Sequence, residues 1–363
     1  MVNIYLSLWI PRRTKIGFDF DYKVIFVHKG GFGVGWDLKV GEIKERYLTE
    51  QQIWQMFNVF FSPKSKNTTT YKFGLIKSLI ENLYNVNENL ELSYNRLFEA
   101  FTKIYWNLVI HHQLRQVNHS HKSSEIEKVL VSFQESYKIP SDLRFDKLPF
   151  KLQLELIQKV KKLAKRYVIG ALYGDSKGII YEFDIKREYM KLNHSIYEFM
   201  LKFQRILIYL TNYHLALLLE KYNKFEDTIH MLLKIEGVSK RTSLDEFYHI
   251  LVSVGTNACF YCGVALGKRK VVHVDHFIPW SFVQTDHLWN LVLSCRNCNI
   301  SKRDRIPKTT FLTALIERNE KLVEFKETVF EREFQTYHPN RLQDLYHYSA
   351  VNGFECEWAP KLS

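Results

Sequence analysis

Two Cys-x-x-Cys pairs, Cys259/Cys262 and Cys295/Cys298, restrict what this chain can fold into more than any other feature. Four thiols at that spacing read as a closed tetrahedral zinc site, which has no open coordination position and so holds shape without performing chemistry. Chemistry has to come from the side chains that such a site clamps. The candidates are Asp275 and His276 in VVHVDHFIPWSF, Asn290 at the head of NLVLSC, Asn299 directly after the last cysteine, and Lys302 three residues further on. Cys356 is a spare, read as a buried or idle thiol. The N-terminal MVNIYLSLWIPRRTKIGF supplies neither a basic leader segment nor a small-residue cleavage site, so the cysteines point to a reducing cytoplasm.

The order DHFIP, NLVLSC, CNISK resembles the HNH nuclease module, a zinc-stapled ββα-metal core, over roughly residues 255–310. The resemblance implies His276 as general base, Asp275 and Asn299 as ligands of a catalytic Mg2+ or Mn2+, and Asn290 as the residue that holds the loop carrying His276. It also implies a metal-dependent endonuclease acting on DNA rather than RNA. A softer likeness of the whole chain to bacterial HNH proteins of restriction and phage defence adds a regulatory protein or a second copy as further partners.

The residues are chemically suited to these roles. Phosphodiester hydrolysis needs an activated water and a cation to offset charge on the phosphate and leaving oxygen. An imidazole with an unperturbed pKa of about 6.5 is a natural proton acceptor near neutral pH. A hard cation takes oxygen donors, which a carboxylate and an amide supply. Because neighbouring strand residues face opposite ways, Asp275 and His276 require a bend, and Pro279 marks the strand's end. Lys302 adds charge for the transition state. His273, on the same strand face as Asp275, either approaches the metal or packs. Asp286 reads as a cap for the segment leading to Asn290, without a catalytic role.

Charge agrees with a nucleic-acid partner. The chain has 51 Lys+Arg against 39 Asp+Glu, a formal surplus of +12. Residues 255–310 hold eight basic and three acidic side chains, a surplus of five in about a sixth of the length. Lys268, Arg269, Lys270, Arg296, Lys302, Arg303 and Arg305 are the candidate nucleic-acid contacts. The alternative reading is a non-catalytic, zinc-stabilised DNA-binding subunit. A zinc deaminase would need one His and two Cys on zinc with a Glu in H-x-E, which His273-Val-Asp275 does not supply.

The rest of the chain predicts a mainly α protein with small β elements. Residues 1–45 read as a β-rich extension with a turn at Gly30-Gly31, and residues 46–250 as a mostly helical recognition or regulatory domain. Residues 251–310 are the nuclease domain and 311–363 a helical tail. Phe73, Ile76, Ile80 and Leu83, and then Leu97, Phe101, Ile104 and Leu108, recur at helical spacing. Asn67–Thr70 and Ser93 are candidate N-caps, and ALYGDSKGIIYEFDI predicts a hairpin near 170–185. Lys159, Lys161, Lys162, Lys165 and Arg166 form a basic run read as a solvated face. His111, His112, His119 and His121 cluster without cysteine or carboxylate at ligand spacing. The longest uncharged apolar run, residues 206–219, has 14 residues, short of the roughly 20 that span a bilayer, and predicts a buried helix.

Overall fold

Helices form where the apolar spacing predicts them, in a computed structural model that describes residues 38–62, 68–118, 123–224, 227–238, 243–255, 257–267, 272–325 and 328–361. Residues 38–363 belong to one compact unit, and residues 1–37 lie outside the described residues. The hairpin expected at Gly30-Gly31 therefore falls outside them too, as do His119 and His121.

A short strand β1 (Val40–Gly41) precedes α1 (Glu50–Phe60), which opens on a capping box between Thr49 and Gln52. Helix α2 (Tyr71–Glu81) buries Phe73, Ile76 and Ile80. Thr70 stands at its N-cap, but its hydroxyl donates to Gln116 Oε1 at 2.6 Å instead of capping. Strand β2 (Glu91–Ser93) runs directly into α3 (Tyr94–Trp106), whose first turn is capped by Ser93 through the Arg96 amide. Leu97, Phe101 and Ile104 face inward there, as the 3–4 spacing requires. Helices α4 (Glu125–Ser136), α5 (Phe150–Ala164) and α6 (Gly170–Asp175) follow.

The hairpin expected near 170–185 is β3 (Tyr181–Asp184) with β4 (Tyr189–Leu192). Its start is displaced because ALYG continues the helical path of α5 through one π turn, Lys165–Ile169, into α6. The turn is instead fixed by Asp184, whose Oδ1 accepts from the Lys186 and Arg187 amides. The four strands form one antiparallel sheet of order β1-β3-β4-β2. Lys161 and Lys165 of the basic run both pair with Glu188 at this hairpin, at 2.6 and 2.5 Å, so part of that run serves packing between α5 and the sheet.

The helical segment α7 (His194–Asn223) covers 30 residues and is kinked at Phe203, whose φ of −112° and ψ of 18° are not helical. One face buries Leu207, Ile208, Leu215 and Leu219, while Ile206, Tyr209, Tyr213 and Leu217 on the other face are exposed. The 206–219 run is thus half buried rather than wholly so, and no helix among the described residues is long and apolar enough to cross a membrane. Helices α8 (Thr228–Gly237) and α9 (Asp245–Ser253) lead to a two-stranded antiparallel sheet, β5 (Val272–His276) and β6 (Leu291–Cys295), with α10 (Trp280–Val283) between the strands. Helix α11 (Arg296–Lys302) then completes a ββα unit, and α12 (Thr309–Val323), α13 (Thr328–Phe334) and α14 (Pro339–Val351) close the chain.

This unit is welded to the body. Rings of His287 and Trp289 pack against Tyr84, at 5.4 and 5.8 Å between centroids. Arg341 of α14 donates to the Tyr84 and Val86 carbonyls, and Arg318 of α12 to those of Leu288 and Leu291. The segment carrying the candidate site is thereby held from several sides.

Candidate active site

The four cysteines converge. Cys259 and Cys262 sit on a turn in which the Gly263 amide bonds the Cys259 carbonyl at 2.9 Å, and Gly263 closes the turn with φ +73°, a conformation that favours glycine. The Phe260 amide docks this turn onto β6 through the Leu293 carbonyl. Cys295 ends β6 and caps α11, its Sγ accepting from the Cys298 amide. All four sulfurs lie within 4.8 Å of one another and can hold a metal ion. Burial pushes the Cys259 and Cys298 thiols up. It acts on Cys295 as well, but hydrogen bonds from the Cys298 amide and the neighbouring thiols outweigh it and hold Cys295 below its ordinary value.

Strand β5 presents Asp275 opposite Val292 and His276 opposite Leu291. Consecutive strand residues face opposite sides, and the two side chains reach different partners. Asp275 Oδ2 accepts from the Tyr261 hydroxyl at 2.6 Å and faces the Lys302 ammonium at 3.1 Å. Burial beside Asp275 drives the Tyr261 hydroxyl far above its usual range. Lys302 was expected at a substrate phosphate, yet it is completely buried and also donates to the His276 carbonyl at 2.7 Å. Desolvation lowers its pKa, and the Asp275 carboxylate opposes that. The ammonium thus ties α11 to β5 at the two residues of interest.

The strand ends at His276, and bends at Phe277 and Ile278 lead to Pro279, which precedes α10. Asn290 closes that bend. Its Oδ1 accepts from the Ile278 amide at 2.8 Å, its Nδ2 donates to the Ile278 carbonyl at 2.9 Å, and its carbonyl accepts from the Phe277 amide at 2.8 Å. Only a side chain carrying both donor and acceptor can bracket one residue's backbone in this way.

Sequence reasoning gave Asp286 no chemical part, but its Oδ1 lies 2.7 Å from His276 Nε2, with both side chains largely buried. The approach is built by Gln284, which ends α10 at φ +56° and turns the chain back towards the strand. Ten residues separate the pair in sequence. No spacing rule links them, and the only legible signal is a carboxylate in the connection that leaves the histidine strand. The adjacent His287 is half-buried and stacks on Trp289, and burial of its ring drives its pKa down to about 4.

The remaining candidates divide by exposure. Asn299 is half buried in the middle of α11, its carbonyl accepting from the Arg303 amide. Arg296 and Arg303 are exposed on either end of that helix. Arg305 is partly engaged, its guanidinium donating to the Lys302 and Ser301 carbonyls and reaching Glu355 at 3.5 Å. His273 is half buried opposite Ser294. Lys268, Arg269 and Lys270 lie outside the described residues.

Residues 259–308 match the HNH endonuclease family. No curated protein and no solved structure matches the chain.

Proposed function

We propose that this protein is a metal-dependent HNH endonuclease that hydrolyses DNA phosphodiester bonds in the cytoplasm, in a defence or restriction setting. The observation that carries this reading is His276 at the end of β5, one ring nitrogen on a buried carboxylate and its following residues bracketed by Asn290, within the segment matching the HNH family. The four cysteines suit structural Zn2+: thiolates at about 2.3 Å from zinc stand about 3.8 Å apart in a tetrahedron, and Cys262 and Cys295 are 3.8 Å apart.

His276 accepts a proton from water as the water's oxygen bonds to phosphorus, and the bond from phosphorus to the departing 3′ oxygen breaks. Asp275 and Asn299 would hold Mg2+ or Mn2+, which offsets charge on the phosphate and the leaving oxygen. Asp275 has acceptor capacity for this on Oδ1, whose nearest donor is Lys302 at 3.5 Å, while Oδ2 carries the two shorter contacts. Lys302 acts from beneath, anchoring Asp275 and the His276 carbonyl. Arg296 and Arg303 face solvent and meet the phosphate backbone, and the helical body at 46–250 is assigned recognition or restraint.

The test is plasmid cleavage by the zinc-loaded protein with Mg2+ or Mn2+. Cutting should require the added cation, stop with EDTA, and disappear in His276→Ala while DNA binding persists. Binding without any cutting would leave the non-catalytic DNA-binding reading in its place.

A further inference from the structure

We infer that Asp286 is a positioning residue that holds His276 with its proton on Nε2, leaving Nδ1 as the nitrogen that takes a proton from water. The inference rests on the reading of His276 as general base. An ionised carboxylate can only accept hydrogen bonds, so the ring nitrogen facing it must be an N–H. His276 Nε2 is 2.7 Å from Asp286 Oδ1, and the side chains are 6 % and 14 % exposed, which limits competition from water. In a neutral imidazole only the other nitrogen, Nδ1, then has a lone pair.

The surroundings leave this carboxylate the task of setting the ring. Ladder pairing with Leu291 and the Lys302 ammonium on the His276 carbonyl fix the backbone. Neither acts on rotation about the side-chain bonds, so the imidazole plane is set by what its nitrogens meet. When the proton moves from water to Nδ1, the O–H bond breaks, an N–H bond forms and the ring becomes cationic. Asp286 faces that cation directly and stabilises it without receiving the proton.

The experiment uses the full-length, zinc-loaded protein labelled with 15N-histidine. The wild-type imidazole of His276 should show the Nε2–H pattern in its nitrogen shifts, and a ring protonated on Nδ1 would overturn the inference whatever the variants do. Asp286→Ala should lower kcat by at least about 100-fold, the usual scale of a positioned base, with KM, DNA affinity and zinc content unchanged. Asp286→Glu should recover part of the loss. Asp286→Asn should not, because its amide can turn NH2 towards the ring and reverse the tautomer. An undiminished kcat in Asp286→Ala would refute the inference. A wild type that does not cut, or a His276→Ala variant that still does, would instead sink the nuclease reading, with the tautomer still decided by the spectrum.

Discussion

Lys302 offers the sharpest quantitative test of how the site is held. Its side chain is 0 % exposed and that of Asp275 10 %, with 3.1 Å between charges, so little solvent screening reduces their interaction. Lys302→Met fills similar space but leaves Asp275 with the Tyr261 hydroxyl alone and the His276 carbonyl without its 2.7 Å donor. Breaking one side of a buried pair typically costs about 3–5 kcal/mol, because the other charge stays buried and uncompensated. Asp275→Asn should cost a similar amount for the mirror reason. With both changes no charge is left stranded, and the double variant should lose at least about 2 kcal/mol less than the sum of the singles. Urea unfolding of the four proteins, at fixed zinc and followed by tryptophan fluorescence, measures the cycle. A Lys302→Met cost below about 1 kcal/mol, or strict additivity, would refute the view that this pair anchors the ββα unit.

Three further outcomes follow from the same geometry. Purified protein should carry one zinc per chain, and Cys295→Ser should lose it and unfold β6 and α11 together, seen as lost amide-exchange protection over 291–302, because Cys295 is at once strand end, helix cap and one of the four converging thiols. His287 should make the fold acid-sensitive: its pKa falls from 6.5 to about 4, so the unfolded chain binds the extra proton between those values and stability declines as pH drops through them. At about 1.4 kcal/mol per pH unit the full effect is roughly 3 kcal/mol, and His287→Phe should flatten the pH dependence of the unfolding midpoint over that window. Replacing both Arg296 and Arg303 with alanine should reduce the salt dependence of DNA binding by about 0.9 per lost phosphate contact, measured by anisotropy, while the unfolding midpoint stays put.

The sequence carried those parts of the site whose chemistry is written in local spacing. Cysteines in pairs announce their own convergence, and a proline three residues after His276 announces the strand end. The apolar rows of α2 and α3 were legible because helical period and burial coincide there. The spacing of Lys302 from Cys298 gives its place on a helix but not which side that helix presents; tertiary packing turns the ammonium inward. Asp286 escaped because its pairing depends on the backbone reversal at Gln284, a non-glycine residue with positive φ that no composition rule marks. The hairpin expected near 170–185 begins only at Tyr181, because Gly170–Asp175 form a helix and Gly174 and Gly178 belong to its end instead of joining strands.

Just after Asp286 in the chain, the His287 ring meets Tyr84 edge-on and the Leu288 carbonyl accepts from Arg318, while Arg341 holds the Tyr84 carbonyl in turn. Tyr84 of the helical body thus borders the residue that follows the imidazole's companion. On the proposed nuclease reading, a substitution at Tyr84 reaches the setting of one catalytic ring without opening or closing a domain.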